Sequence, residues 1–172
     1  AEWVSQIGAD LEASEYFVTW VERTYLPEMV AGYQAPNRAN NLRAYFTEGG
    51  AVVIPRLLQD GEPLPWRLEL GLMGVNGRLV DTPLGAITPS VKENRVEYAH
   101  GGLSEWFLND AEGLHQGFTL SAEPAGGTSL QLALKAKTDL QPEWSAGQPV
   151  VTFRNAGGAG QLIMGLDIVF YR

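Results

Sequence analysis

The placement of turn signals constrains this chain more than any other feature. Gly49-Gly50, Gln59-Asp60-Gly61-Glu62-Pro63, Gly101-Gly102, Asn109-Asp110-Ala111-Glu112-Gly113 and Gly126-Gly127 punctuate the sequence, with turns falling every 8 to 12 residues or so, the rhythm of an all-β domain. The runs between them are short and alternate. In Trp66-Arg67-Leu68-Glu69-Leu70-Gly71-Leu72, residues Trp66, Leu68, Leu70 and Leu72 face a core while Arg67 and Glu69 face water. Ser129-Leu130-Gln131-Leu132-Ala133-Leu134-Lys135 repeats that pattern. About ten strands are counted this way, with no strand–helix alternation to suggest a parallel sheet. The expectation is an all-β, two-sheet antiparallel β-sandwich forming a single domain over residues 1–172.

One helix is expected, within the N-terminal segment 1–14. Trp3, Ile7 and Leu11 recur at four-residue intervals and form a single stripe suited to covering a sheet edge. Strands are then expected over 16–21, 41–46, 51–55, 66–72, 95–100, 103–108 and 116–121. Residues 25–36, with two prolines and a glycine, read as a long connection, and 139–149 as a loop carrying Trp144. Residues 150–154 and the C-terminal strand 161–172 close the chain across the glycine-rich 156–160. Residues 161–172 are apolar on both faces, which makes them a candidate for pairing within the domain or with a neighbouring subunit.

The charge balance narrows the partners. Twenty Asp and Glu against twelve Lys and Arg give a net charge of −8, with no basic run longer than two residues, which argues against nucleic acid or an anionic lipid surface as a partner. Cysteine is absent, so disulfides, thiolate metal sites and Cys nucleophiles are excluded. No run approaches the ~20 apolar residues of a membrane helix, so membrane insertion is not expected. Ala1-Glu2-Trp3 has no basic n-region or apolar h-region, so an exported protein would start here after cleavage.

The densest polar and aromatic cluster lies between residues 95 and 120. Glu105, Asn109, Asp110, Glu112 and His115 unite carboxylates with an imidazole, the chemistry of general acid–base or glycosidase catalysis. Alternating strands need not bring them together, and Asn-Asp and Glu-Gly suit turns for conformational reasons. No cofactor is expected. The one ion with a donor set is Ca2+, to which Asn109, Asp110 and Glu112 offer three side-chain oxygens without EF-hand spacing. His100 and His115, with no HExxH, make a weak zinc case. No GxSxG elbow or P-loop is present. Trp106 and Trp144 are the exposed aromatic candidates for stacking on a sugar, while Trp20 and Trp66 fall on core-facing patterns.

Val96-Glu97-Tyr98, Leu103-Ser104-Glu105-Trp106-Phe107-Leu108-Asn109 and Gly113-Leu114-His115-Gln116-Gly117-Phe118-Thr119-Leu120 follow one another in a characteristic order. Ala13-Ser14-Glu15-Tyr16 and Tyr33-Gln34-Ala35-Pro36-Asn37-Arg38-Ala39-Asn40-Asn41-Leu42-Arg43 precede them. Together these segments resemble a β-rich domain near the N-terminus of large secreted bacterial proteins, often ahead of FG-GAP-type propeller repeats. His115 stands where that family usually carries an acidic residue. Family chains also continue past the point where Arg172 ends this one, so a fragment or a stand-alone subunit is expected. The resemblance implies a secreted or cell-surface, noncatalytic structural or assembly domain, and brings no active-site set. Its partners would be copies of itself or other protein subunits, met through strand edges and open to filament formation. A carbohydrate-binding module for extracellular polysaccharide is the alternative, using Trp106 or Trp144 with the acidic turn. A glycosidase-like enzyme using Glu105, Asp110 or Glu112 is the second alternative.

Overall fold

A computed structural model describes residues 14–59, 61–76, 78–79, 88–121, 131–147, 150–154 and 161–165. The helix expected over 3–13 and residues 166–172 of the C-terminal strand lie outside these. The described residues form fourteen strands: β1 (Thr19–Val21), β2 (Gly32–Asn37), β3 (Leu42–Thr47), β4 (Gly50–Pro55), β5 (Leu68–Val75), β6 (Arg78–Leu79), β7 (Ser90–Lys92), β8 (Arg95–His100), β9 (Leu103–Asp110), β10 (Gly113–Leu120), β11 (Leu132–Thr138), β12 (Gln141–Trp144), β13 (Val150–Arg154) and β14 (Gln161–Gly165). They assemble into a seven-stranded sheet in the order β1-β2-β3-β4-β5-β11, with β6 on β5, a four-stranded sheet β10-β9-β8-β7, and a three-stranded sheet β12-β13-β14. The all-β antiparallel expectation holds, and every strand pair is antiparallel.

Tight hairpins set the register. Thr47 lies opposite Gly50, Lys92 opposite Arg95, His100 opposite Leu103 and Asp110 opposite Gly113, so each connection is two residues long. Such turns need left-handed backbone, supplied here by Glu93 (φ 53°) and Gly101 (φ 74°). A one-residue slip would turn every apolar side chain to the wrong face.

The first and second sheets share the main core. Ala35, Ala44, Phe46, Ala51, Val53, Leu68 and Leu70 from the first meet Val96, Tyr98 and Phe107 from the second, with Val18, Leu140 and Phe153 closing the rim. Phe107 anchors it, tilted 55° to Phe46 at 5.7 Å and edge-on to Tyr98 at 6.1 Å. A smaller cluster of Leu26, Tyr45, Val52 and Ile54 occupies the other face of the first sheet, beneath Met29, Leu58 and Leu64. Hence β4 is buried along its whole length, covered on both faces, whereas β9 alternates buried and half-buried.

Several readings of the sequence are corrected. Residues 32–37 are a strand despite Pro36, because Pro36 lies past the reach of β1, which pairs only with residues 32–34. Trp144 ends strand β12 and does not sit in a loop. Residues 90–92 form a further strand, outside the spans expected from the sequence. Strand β5 begins at Leu68, leaving Trp66 half-buried against the main core just ahead of it. Trp20 is 54% exposed on the short edge strand β1, edge-on to Tyr33, and is not a core residue. The turn expected over 109–113 contracts to Ala111 and Glu112, with Asn109 and Asp110 inside β9.

Candidate functional site

Two-residue periodicity decides what the 105–115 cluster can do. Along β9, Leu103, Glu105, Phe107 and Asn109 turn to the core while Ser104, Trp106, Leu108 and Asp110 turn away. The proposed constellation is therefore split. Glu105 and Asn109 point inward, Trp106, Asp110 and His115 stand on the outer face, and exposed Glu112 lies in the turn. The oxygens considered for Ca2+ fall on opposite sides of one strand for the same reason. Trp144 belongs to the third sheet, 64% exposed.

Glu105 is only 2% exposed. Its Oε1 accepts a 2.7 Å hydrogen bond from Gln116 Nε2, and its Oε2 lies 3.2 Å from His100 Nε2. The adjacent Tyr98 hydroxyl donates to the Thr47 carbonyl at 2.7 Å and lies 3.2 Å from that of Gly50, tying the two sheets together. Burial, reinforced by the Glu105 charge, raises the Tyr98 phenol well above its ordinary 10.0.

Asn109 centres a second buried network. Its Nδ2 donates to the carbonyls of Tyr16 (3.0 Å) and Pro36 (2.8 Å), and its Oδ1 accepts from Asn37 Nδ2 at 2.8 Å. Asn37 also donates to the Asp110 carbonyl and accepts at Oδ1 from the Asn40 backbone. Asn94 Nδ2 donates to the Asn109 carbonyl at 2.8 Å. Asn37 and Asn109 clamp β2 to β9 while Asn94 braces the β7–β8 turn on β9, so the two sheets are joined by directional bonds as well as by apolar burial. Reading the sequence for catalysis missed Asn37, Asn40 and Asn94. The visible signal was Asn37-Arg38-Ala39-Asn40-Asn41, unusually amide-rich beside a strand.

On the outer face, Asp110 Oδ1 accepts from the backbone N–H groups of Glu112 (2.8 Å) and Gly113 (3.3 Å) and meets His115 Nε2 at 2.9 Å. Burial pushes the Asp110 carboxyl up, but the hydrogen bonds to His115 and the two amides outweigh it and hold it below its ordinary 3.8. These bonds restrain the turn, so for Asp110 the turn-forming expectation describes what the side chain does. Trp106 lies against Gly117, where a Cβ would collide with its six-membered ring. Its Nε1 donates to Thr119 Oγ1 at 3.2 Å, and the Arg95 guanidinium covers the ring at 4.4 Å.

Strand β10 presents a different kind of surface. All eight of its residues pair with β9, and among the described residues nothing pairs with its other side. Gly113-Leu114-His115-Gln116-Gly117-Phe118-Thr119-Leu120 contains no proline, lysine, arginine or carboxylate. No family model, curated protein or solved structure matches this chain.

Proposed function

We propose that this chain is a noncatalytic interaction domain of a secreted or cell-surface protein, in which the seven- and four-stranded sheets form a two-leaf sandwich. It assembles with copies of itself or with other subunits through an open sheet edge. The observation that carries this reading is strand β10, an eight-residue edge without the charges or prolines that ordinarily blunt one. Backbone pairing by an added strand is the recognition such an edge offers. Repeated head to tail without closure, it builds a filament. The extracellular setting rests on the resemblance in residues 13–43 and 95–120.

Two observations weigh against the alternatives. Both Glu105 oxygens are engaged by protein groups at 2% exposure, which is poor access for a substrate. Trp106 is overlaid by Arg95 and packed on Gly117, which hinders sugar stacking on the ring.

Hydrogen exchange of the β10 amides across protein concentration tests the proposal. The edge amides should exchange fast in dilute solution and become protected as sedimenting mass rises. His115→Lys with Thr119→Lys, both on the outer face, should suppress both effects. Exchange of these amides that is independent of concentration while mass increases would place assembly elsewhere.

A further inference from the structure

The first sheet carries a second surface, on the face opposite the main core. Arg43 follows the turn into β3 and shares that face with Tyr45. Its guanidinium lies 4.6 Å from the centre of the Tyr25 ring, and the Tyr25 N–H donates to the Tyr45 hydroxyl at 3.2 Å. Arg56 extends the β3–β4 ladder by one step, its N–H donating to the Asn41 carbonyl at 3.0 Å, beyond the Leu42–Pro55 pair. Arg43 and Arg56 are thus diagonal neighbours across two adjacent strands.

Among the described residues their guanidinium groups have no counter-charge: neither forms an ion pair, and the buried Nε and Nη1 of Arg43 and Nε of Arg56 have no acceptor. The other half-buried cations among the described residues are matched: Arg67 with Glu28 and Glu69, Lys135 with Glu69, and Arg95 with Glu97. Carboxylates exceed cations by eight here, so two neighbouring unmatched arginines with dry N–H groups stand out. A guanidinium N–H kept from both water and acceptor is costly, and an incoming oxyanion removes that cost.

The surroundings fit a polypeptide carrying that oxyanion. Tyr25 is 47% exposed and Leu57, next to Arg56, 66%. Tyr25 also walls a groove of about 510 Å³ lined by Pro27, Leu58, Pro63 and Leu64, where Arg23 and Glu62 add one charge of each sign. An exposed Tyr and half-buried Arg beside a groove that is part apolar and part polar resemble the composition of an interface hot spot. We infer that Arg43 and Arg56 receive a carboxylate from an extended acidic polypeptide segment, whose apolar residues lie along the groove edged by Tyr25. This site is separate from the β10 edge.

Arginine Nε–H resonances test it. The probe is a blocked hexapeptide of alternating Glu and Pro, which lacks the N–H pattern for adding to a sheet edge; succinate and inorganic phosphate serve as comparators. The peptide should shift the Arg43 and Arg56 Nε–H signals saturably and leave the β10 amides unmoved. Arg43→Gln should weaken it about tenfold or more, as loss of charge-assisted hydrogen bonds implies. Arg43→Lys, which keeps the charge and guards against a folding defect, should lose most of that affinity because the directional donors are gone. Unmoved Nε–H signals would overturn the site. Equal binding of succinate or phosphate would overturn the polypeptide assignment.

Discussion

Asn109 shows how much a single side chain does in this domain. Removing it as Asn109→Ala strands the carbonyls of Tyr16 and Pro36 and the Asn37 amide, all served by its side chain. The expected loss is about 3 kcal/mol, since each stranded buried group costs ~1–3 kcal/mol before partial relaxation. Urea denaturation measures it, and a cycle with Asn37→Ala should give a coupling above ~0.5 kcal/mol. Tyr98 sets the alkaline limit. Its phenol is raised in the folded state, so its contribution is complete below the unfolded value of 10.0 and is lost as pH climbs toward the folded one. Tyr98→Phe should cost ~1 kcal/mol at pH 7 for its lost hydrogen bonds, yet flatten the fall in stability above pH 10. Glu69 sets part of the acid limit. Burial raises its carboxyl, but Arg67, Lys137 and Lys135 pull it below 4.5. Its stabilisation is therefore present above pH 4.5 and lost as pH falls through the lower folded value. Glu69→Gln should narrow the gap between urea midpoints at pH 7 and pH 3.

At the scale of elements, two glycines allow close approaches that a side chain would block, Gly117 in the β9–β10 hairpin and Gly50 beside β5. Gly117 lets the Trp106 ring lie flat against β10, and Arg95 covers that ring. Gly117→Val should lift the indole and break the Arg95 stack. The expected result is red-shifted Trp fluorescence and a loss of ~1–3 kcal/mol from overpacking. Gly50 is the counterpart at the β3–β4 turn. At φ +113° its backbone suits few other residues, and an added Cβ would collide with the Leu70 carbonyl on β5. Gly50→Ala should therefore disturb the β4–β5 pairing that carries Ala51 and Val53 into the main core. Amide exchange in residues 68–70 reports that change.

At the scale of the molecule, a net charge of −8 opposes packing copies together, while backbone pairing along β10 is indifferent to it. Self-association should therefore strengthen as salt rises from ~0.02 to 0.3 M and screens the repulsion. Sedimentation velocity follows it, and weaker association with salt would point to ion pairs as the driving contact. Local sequence was enough for the fold class: alternation in 66–72 and 95–108 and the short Gly and Asn turns fix period and register through each residue's own backbone preferences. That Glu105 and Asp110 take opposite faces followed only once the structure placed Asp110 inside β9 and not in the turn. In β9 only the tertiary structure decided which face was the core. Trp20 pointed out because β1 is an edge strand, Pro36 was tolerated because β1 ends before it, and Asn37 met Asn109 because two sheets stacked. Contacts between residues 72 positions apart leave no trace in the periodicity of either segment, for periodicity records a neighbour's face and never its partner.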